Sequence, residues 1–342
     1  MIRVLVVDDS PLIRAVLTEV LQQAQDIEVI GTANDPYQAR DLIKKLNPDV
    51  LTLDVEMPKM DGVSFLKNLM RLRPMPVVMI STLTQQGAPI TLECLELGAV
   101  DFVAKPTQQV GDKLHGYAQT LHEKIRAAAK ARVRAIKPVT TPVASVATGT
   151  FDNTKLVAIG ASTGGTEAIK EVLTGLPDNF PPIVITQHIP PVFSASFAER
   201  MDRSVALTVK EAEDDEEIKP NHVYIAPGDY HLAVVSKGTK LMCKVVQSAP
   251  VNRHRPAVDV LFKSIAKLNL GKKVCASLLT GMGADGAAGL LKLKECGAYT
   301  LAQDEASSVV WGMPRAAVDL DAAQKVLILE SVANEIANWA KK

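Results

Sequence analysis

The sequence predicts two α/β domains in series, each built on a mainly parallel sheet. Three observations carry this expectation. In the N-terminal part, short apolar runs with little polar alternation, at 2–7, 28–31, 50–53, 77–80 and 101–103, are separated by segments of helical period at 12–24, 36–46, 62–71 and 89–97. Strands of that kind, spaced by helices, belong to a parallel sheet covered on both faces. Five of them fit a doubly wound domain of flavodoxin-like order. After a helical stretch over 117–136 the periodicity stops, and 137–150 consists of Thr, Pro, Ala, Val and Ser with one lysine and one glycine. That composition makes a flexible linker. Apolar runs then resume at 156–159 and continue to the C-terminus.

In the second domain strands are expected at 156–159, 183–186, 206–209, 222–225, 231–235, 241–246, 274–279 and 299–302. Helices are expected at 167–173, 195–201, 258–266, 287–294 and 331–340. The helices alternate with some of these strands, which again gives α/β, with an antiparallel excursion expected in the middle of a mainly parallel sheet. The expected division is a first domain at 1–106, a helical extension and linker at 107–154, and a second domain at 155–342.

Composition narrows the function. The chain has 342 residues, enough for about two cores, and 47% of them are hydrophobic. Lys plus Arg and Asp plus Glu balance at 38 each, so no broad field favours nucleic acid or an anionic membrane, and neither is an expected partner. Cys94, Cys243, Cys275 and Cys296 form no C-x-x-C pair and lie in apolar segments. They read as buried free thiols of a reducing compartment. No apolar run reaches the ~18 residues of a membrane span. The first residues run from an apolar strand into acidic side chains, without the parts of a secretory leader. The expected location is cytoplasmic, not membrane-inserted.

Two groups of residues carry chemistry. In the first domain Asp8 and Asp9 end the first strand, Asp54 the third and Ser81 the fourth, and Lys105 follows the fifth. The C-terminal ends of parallel strands open on one edge, where binding crevices form. Carboxylates gathered there suit Mg²⁺, and a hydroxyl and an ammonium would complement a phosphoryl group on Asp54. Each residue alone has a plainer role, as a helix cap or a solvated charge. Five at the strand ends of one sheet favour the phosphoacceptor reading.

In the second domain Gly160-Ala161-Ser162-Thr163-Gly164-Gly165 lies between a strand and a helix and satisfies G-x-S-x-G. It fails as a phosphate loop, because Thr166 and Glu167 stand where Lys and Ser or Thr belong. A helix cap on Ser162 or Thr163 is the plainer alternative. A serine nucleophile needs a base and an orienting acid. His188 follows the next strand and should rise beside Ser162, with His254 as its competitor. Asp285, in a Gly-rich turn after another strand, supplies a carboxylate, its plainer role being to cap the following helix.

Residues 1 to 106 resemble the receiver domain of two-component response regulators, through Val7-Asp8-Asp9-Ser10, Asp54 to Gly62, Ile80-Ser81 and Ala104-Lys105-Pro106. The resemblance implies that Asp54 accepts a phosphoryl group from a chemotaxis histidine kinase. It implies that Asp8, Asp9 and Asp54 hold Mg²⁺, that Ser81 senses the phosphate and that Lys105 pairs with it. From 155 the chain resembles the catalytic domain of the chemotaxis protein-glutamate methylesterase (CheB) family. The motifs are Ile159 to Gly165, Gln187-His188, Arg253 to Asp259 and Leu279 to Gly286. That resemblance implies Ser162 as nucleophile, His188 as general base and Asp285 as its orienting acid. Met282 would lend an amide to the oxyanion hole, and His254 and Arg255 would line the pocket. It further implies demethylation of glutamyl methyl esters on chemoreceptors, possible glutamine deamidation, and no cofactor for the ester chemistry. A non-catalytic regulatory or binding role and an esterase for a different small ester stand as alternatives.

Overall fold

The computed structural model describes residues 1–57, 60–82, 84, 87–106, 114–133 and 148–342. The chain divides into two units, Met1–Val139 and Thr140–Lys342.

In the first unit the strands are β1 (Ile2–Val7), β2 (Ile27–Ala33), β3 (Val50–Asp54), β4 (Val77–Ser81) and β5 (Asp101–Ala104). They form one parallel sheet in the order β2-β1-β3-β4-β5, the doubly wound arrangement expected. Every residue of β3 and β4 is buried, Thr52, Asp54 and Ser81 included, as expected of mainly apolar strands covered on both faces. Between the strands run α1 (Pro11–Gln22), α2 (Pro36–Leu46), α3 (Gly62–Leu72) and α4 (Gly87–Glu96). Their starts are set by local chemistry. Ser10, Asp35 and Asp61 accept the backbone N–H groups of Ile13, Gln38 and Ser64, and Pro11 and Pro36 occupy first-turn positions that need no donor.

The last helix, α5 (Leu114–Lys130), stops short of the expected 136. Its buried stripe of Leu121, Ile125 and Ala128 ends there, and helices in proteins persist mainly where they pack. Residues 134–136 of the expected helix and 137–147 of the expected linker lie outside the described residues, as do Pro58 and Lys59 of the Asp54 motif.

The second unit contains β6 (Leu156–Ala161), β7 (Ile183–Gln187), β8 (Thr208–Glu211), β9 (His222–Ile225), β10 (His231–Lys237), β11 (Lys240–Val246), β12 (Val274–Leu278), β13 (Tyr299–Gln303) and β14 (Lys325–Leu327). Seven of these form a parallel sheet in the order β14-β13-β12-β6-β7-β9-β8, and β10 and β11 pair as a separate antiparallel hairpin. The hairpin is the antiparallel excursion the sequence predicts. It joins the main core through Leu232, Val234 and Cys243, which pack in one cluster with Ala158, Phe262 and Leu278. The helices are α6 (Gly165–Thr174), α7 (Pro191–Asp202), α8 (Val258–Ala266), α9 (Ala287–Glu295), α10 (Met313–Asp319) and α11 (Leu329–Ala340).

Chain order reverses at β6. The strand continues to β7 on one side and receives β12 on the other, so the crevice above its C-terminal end is open to loops from both directions. Cys94, Cys243 and Cys275 are buried and Cys296 is half-buried. Burial pushes the Cys94 and Cys243 thiols up to about 12, which leaves them unreactive near neutral pH. Among the described residues no helix is long and apolar enough to cross a membrane.

Candidate active site

Sheet register brings the nucleophile and base candidates together. β6 and β7 pair Ala161 with Gln187, so the next residues, Ser162 and His188, leave the sheet side by side. The His188 N–H donates to Ala161 O at 3.1 Å. Gln187 Nε2 donates to Ser162 O at 2.8 Å and lies 3.1 Å from His188 O, tying the two turns to each other. On the opposite flank the Ser162 N–H donates to Thr280 O at 3.0 Å. The sequence names Gln187 only as part of the Gln187-His188 motif and gives it no role, although it ends a fully buried strand.

The turn after Ser162 takes Gly164 through φ +75° as the N-cap of α6, with no side-chain cap. The plainer reading of Ser162 or Thr163 as that cap is therefore not what the chain adopts. Ser162 stands at the N-terminal end of a ten-residue helix, where oriented amides favour developing negative charge. Gly281 passes so close behind it that a Cβ would lie 2.7 Å from Ser162 Cβ and 2.4 Å from Met313 Sδ. A side chain at 281 would displace Ser162.

His188 Nδ1 lies 3.1 Å from Ser162 Oγ, and its Nε2 lies 2.8 Å from Asp285 Oδ2. Asp285 does not cap α9, whose N-cap is Gly286. It faces the start of α8 instead. Oδ2 accepts the Val258 N–H at 2.6 Å and Oδ1 accepts the Asp259 N–H at 3.2 Å, while Asn252 Nδ2 donates to Oδ1 at 2.7 Å. Burial opposes ionisation of this carboxyl, but His188 and the other donors outweigh burial and lower it from 3.8 to about 2. Asp285 is therefore an anion near neutral pH. An anion at Oδ2 requires the proton on His188 Nε2, which leaves the Nδ1 lone pair facing the Ser162 hydroxyl. That is the tautomer a general base needs.

The remaining predicted residues lie around this line. The His254 ring stacks on His188, with centroids 3.7 Å apart and planes 13° off parallel. It packs face to face on His188, whose own Nδ1 is the ring nitrogen 3.1 Å from Ser162 Oγ. Arg255 is engaged by Asp229, with Nε 2.9 Å from Oδ1, and its Nη1 donates to Ser248 O at 2.7 Å. Met282 follows Gly281 on the Gly-rich turn and is half-buried. Among the described residues no carbonyl or carboxylate takes its N–H. His222 and His231 bond to the backbone, at Pro220 O and Ala249 O.

In the first unit Asp8 and Asp54 are buried, Asp9 is exposed, and Lys105 reaches between the two buried acids. Its Nζ lies 2.8 Å from Asp54 Oδ2 and 3.3 Å from Asp8 Oδ2. Burial pushes both carboxyls up, Asp54 to about 6, against the pull of the ammonium. Carboxylate oxygens of Asp8, Asp9 and Asp54 approach within 4.8 Å of one another. Asp8 Oδ2 and Asp54 Oδ2 are buried without a well-directed hydrogen bond. Hard oxygen donors converging with unsatisfied lone pairs fit a divalent cation such as Mg²⁺. Ser81 is buried nearby on the same sheet edge, its Oγ 2.7 Å from Thr91 Oγ1.

Comparison with known proteins agrees with both halves. The family described as CheB methylesterase matches residues 157–336, more than half the chain. The chain belongs to the CheB methylesterase family. The response regulator receiver domain family matches residues 4–115, so a receiver precedes the CheB catalytic domain. A Hahella chejuensis relative named protein-glutamate methylesterase/protein-glutamine glutaminase 1 is 56% identical, over 98% of this chain and 96% of its own. A Salmonella typhimurium relative named protein-glutamate methylesterase/protein-glutamine glutaminase is 52% identical over the same shares. The crystal structure of the Thermotoga maritima CheB methylesterase catalytic domain is 40% identical with a TM-score of 0.53. It aligns with 56% of this CheB-family chain and 99% of its own.

Proposed function

We propose that this chain is a phosphorylation-activated serine hydrolase that removes methyl groups from glutamyl methyl esters of chemoreceptors, releasing methanol and resetting receptor signalling. The observation that carries the reading is the line Ser162 Oγ, His188, Asp285, with contacts of 3.1 and 2.8 Å. Ser162 Oγ attacks the ester carbonyl as His188 Nδ1 takes its proton. The oxyanion faces the α6 N-terminus and the Met282 N–H. His188 returns the proton to the departing methoxide. Water then attacks the glutamyl-enzyme as His188 takes a proton from it, and His188 passes that proton to the departing Ser162 Oγ, restoring the serine and freeing the glutamate. The same steps hydrolyse a glutamine side chain with ammonia as leaving group, so deamidation belongs to the proposal.

Control lies in the receiver. Asp54 takes a phosphoryl group from a chemotaxis histidine kinase, Lys105 pairs with the phosphoryl oxygens, and Ser81 leaves Thr91 to meet them. Mg²⁺ held by Asp8, Asp9 and Asp54 would supply positive charge to offset that gathering on the phosphoryl oxygens. A cytoplasmic location fits a kinase-supplied enzyme with free thiols.

The test compares methylated chemoreceptor membranes with free glutamate γ-methyl ester. Binding energy from the rest of the receptor should make kcat/KM at least about tenfold higher on the membranes. Hydrolysis of the small ester without release of methanol from receptors would instead favour a different ester substrate.

A further inference from the structure

We infer that Asn252 is a positioning residue of the hydrolytic site, its side-chain amide fixing the plane of the Asp285 carboxylate and through it the ring of His188. The inference rests on the reading of Ser162, His188 and Asp285 as catalytic.

The four hydrogen bonds to Asp285 divide evenly between its oxygens. Oδ2 receives His188 Nε2 and the Val258 N–H, at 2.8 and 2.6 Å. Oδ1 receives the Asp259 N–H at a long 3.2 Å and Asn252 Nδ2 at 2.7 Å. Without Asn252, Oδ1 keeps only the long bond. The carboxylate can then turn about its Cβ–Cγ bond and carry Oδ2 out of line with His188. Asn252 also does what a backbone amide cannot. Its Nδ2 lies 3.2 Å from Asp259 Oδ2, so one NH₂ group spans two buried carboxylates. Asp259 is otherwise satisfied by the Gly289 N–H and the Lys263 ammonium, each at 2.7 Å.

The backbone that holds Asn252 points the same way. Val251 and His254 exchange both main-chain hydrogen bonds, at 3.0 and 2.9 Å, leaving Asn252 and Arg253 as the two residues of a tight turn. Both have positive φ, +51° and +68°, a region open to glycine, tolerated by asparagine and disfavoured for arginine. One end of this turn delivers the Asn252 amide to Asp285, and the other lays His254 on His188. The strained turn thus grips the acid and the base together. Beside the pair, His254 of the turn stacks on His188 and Asp259 of α8 shares the Asn252 amide, with Lys263 paired to Asp259 and Arg255 to Asp229.

The test is methanol release from methylated chemoreceptor membranes across pH, using full-length wild type, Asn252→Gly, Asn252→Asp and Ser162→Ala. Glycine suits φ +51° better than asparagine and removes only the amide, so a mere turn-former would lose nothing. Loss of the amide should lower kcat by about tenfold to a hundredfold, with KM unchanged. It should also move the acid limb of the profile to higher pH, because more of the Asp285 charge then acts on protonated His188. Asn252→Asp should move that limb further. Wild-type kcat and an unmoved acid limb in Asn252→Gly would overturn the inference. Wild-type release by Ser162→Ala would instead defeat the catalytic reading on which the inference rests.

Discussion

Replacing Ser162 by alanine is expected to slow ester hydrolysis by on the order of 10⁴- to 10⁶-fold, with KM and folding stability nearly unchanged. The hydroxyl forms the bond that the proposed mechanism requires, and only water could replace it. Water would have no fixed place 3.1 Å from His188 Nδ1. What survives is the contribution of binding and of the amides at the α6 N-terminus, a residual rate still above that in water. Stability should hold because the structural bonds of this residue are made by its backbone, to Thr280 O, from the Gly165 N–H and from Gln187 Nε2. Initial rates of methanol release, with thermal melting as a control, check both statements. Loss of activity together with loss of folding would show that the side chain serves structure.

Asp285→Asn should cost about 10⁴-fold in kcat, for a reason visible in its surroundings. All four partners of the carboxylate are donors: His188 Nε2, Asn252 Nδ2 and the N–H groups of Val258 and Asp259. An asparagine offers one oxygen and one NH₂. If the NH₂ faces His188, it demands the lone pair on Nε2 and sends the ring proton to Nδ1, where it blocks the attack. If it faces Asn252, donor meets donor and a buried group goes unsatisfied. The same site sets an acid limit on stability. The carboxyl is lowered from 3.8 to about 2, so its stabilisation is complete above pH 4 and is lost as pH falls from about 4 towards 2. The full effect is about 2 kcal/mol. Denaturant unfolding between pH 6 and 3 should show wild type losing stability faster than the asparagine variant. Parallel losses would mean that Asp285 is not held as described.

Why some of this was legible in the sequence follows from where the residues sit. Ser162, His188, Asp8, Asp54 and Ser81 stand at the C-terminal ends of apolar runs, and a parallel sheet gathers such ends on one edge whatever the loops do. Asp285 was legible as a candidate because its turn is rich in glycine, but its true neighbour was not. Nothing in the sequence says that the start of α8, rather than of α9, meets this carboxylate, since that contact joins residues 26 and 27 apart through tertiary packing. The roles of Asn252 and Gln187 are not legible for the same reason: each acts through contacts across elements. Asn-Arg lacks the glycine that usually marks a tight turn with positive φ. Short elements also escaped. β14 has three residues, none of them buried, and α10 has seven, too few for a period to register. The segment expected as a strand at 206–209 pairs instead at Thr208–Glu211, because Leu207 is drawn into the core while Lys210 and Glu211 hydrogen-bond along β9.

A phosphoacceptor in one unit is expected to govern ester hydrolysis in the other. Methanol release from methylated chemoreceptor membranes tests it, using wild type and Asp54→Ala with and without Mg²⁺ and acetyl phosphate. Release should rise with Mg²⁺ and acetyl phosphate in wild type and stay flat in Asp54→Ala. An equal rise in the variant, or no response in wild type, would contradict it.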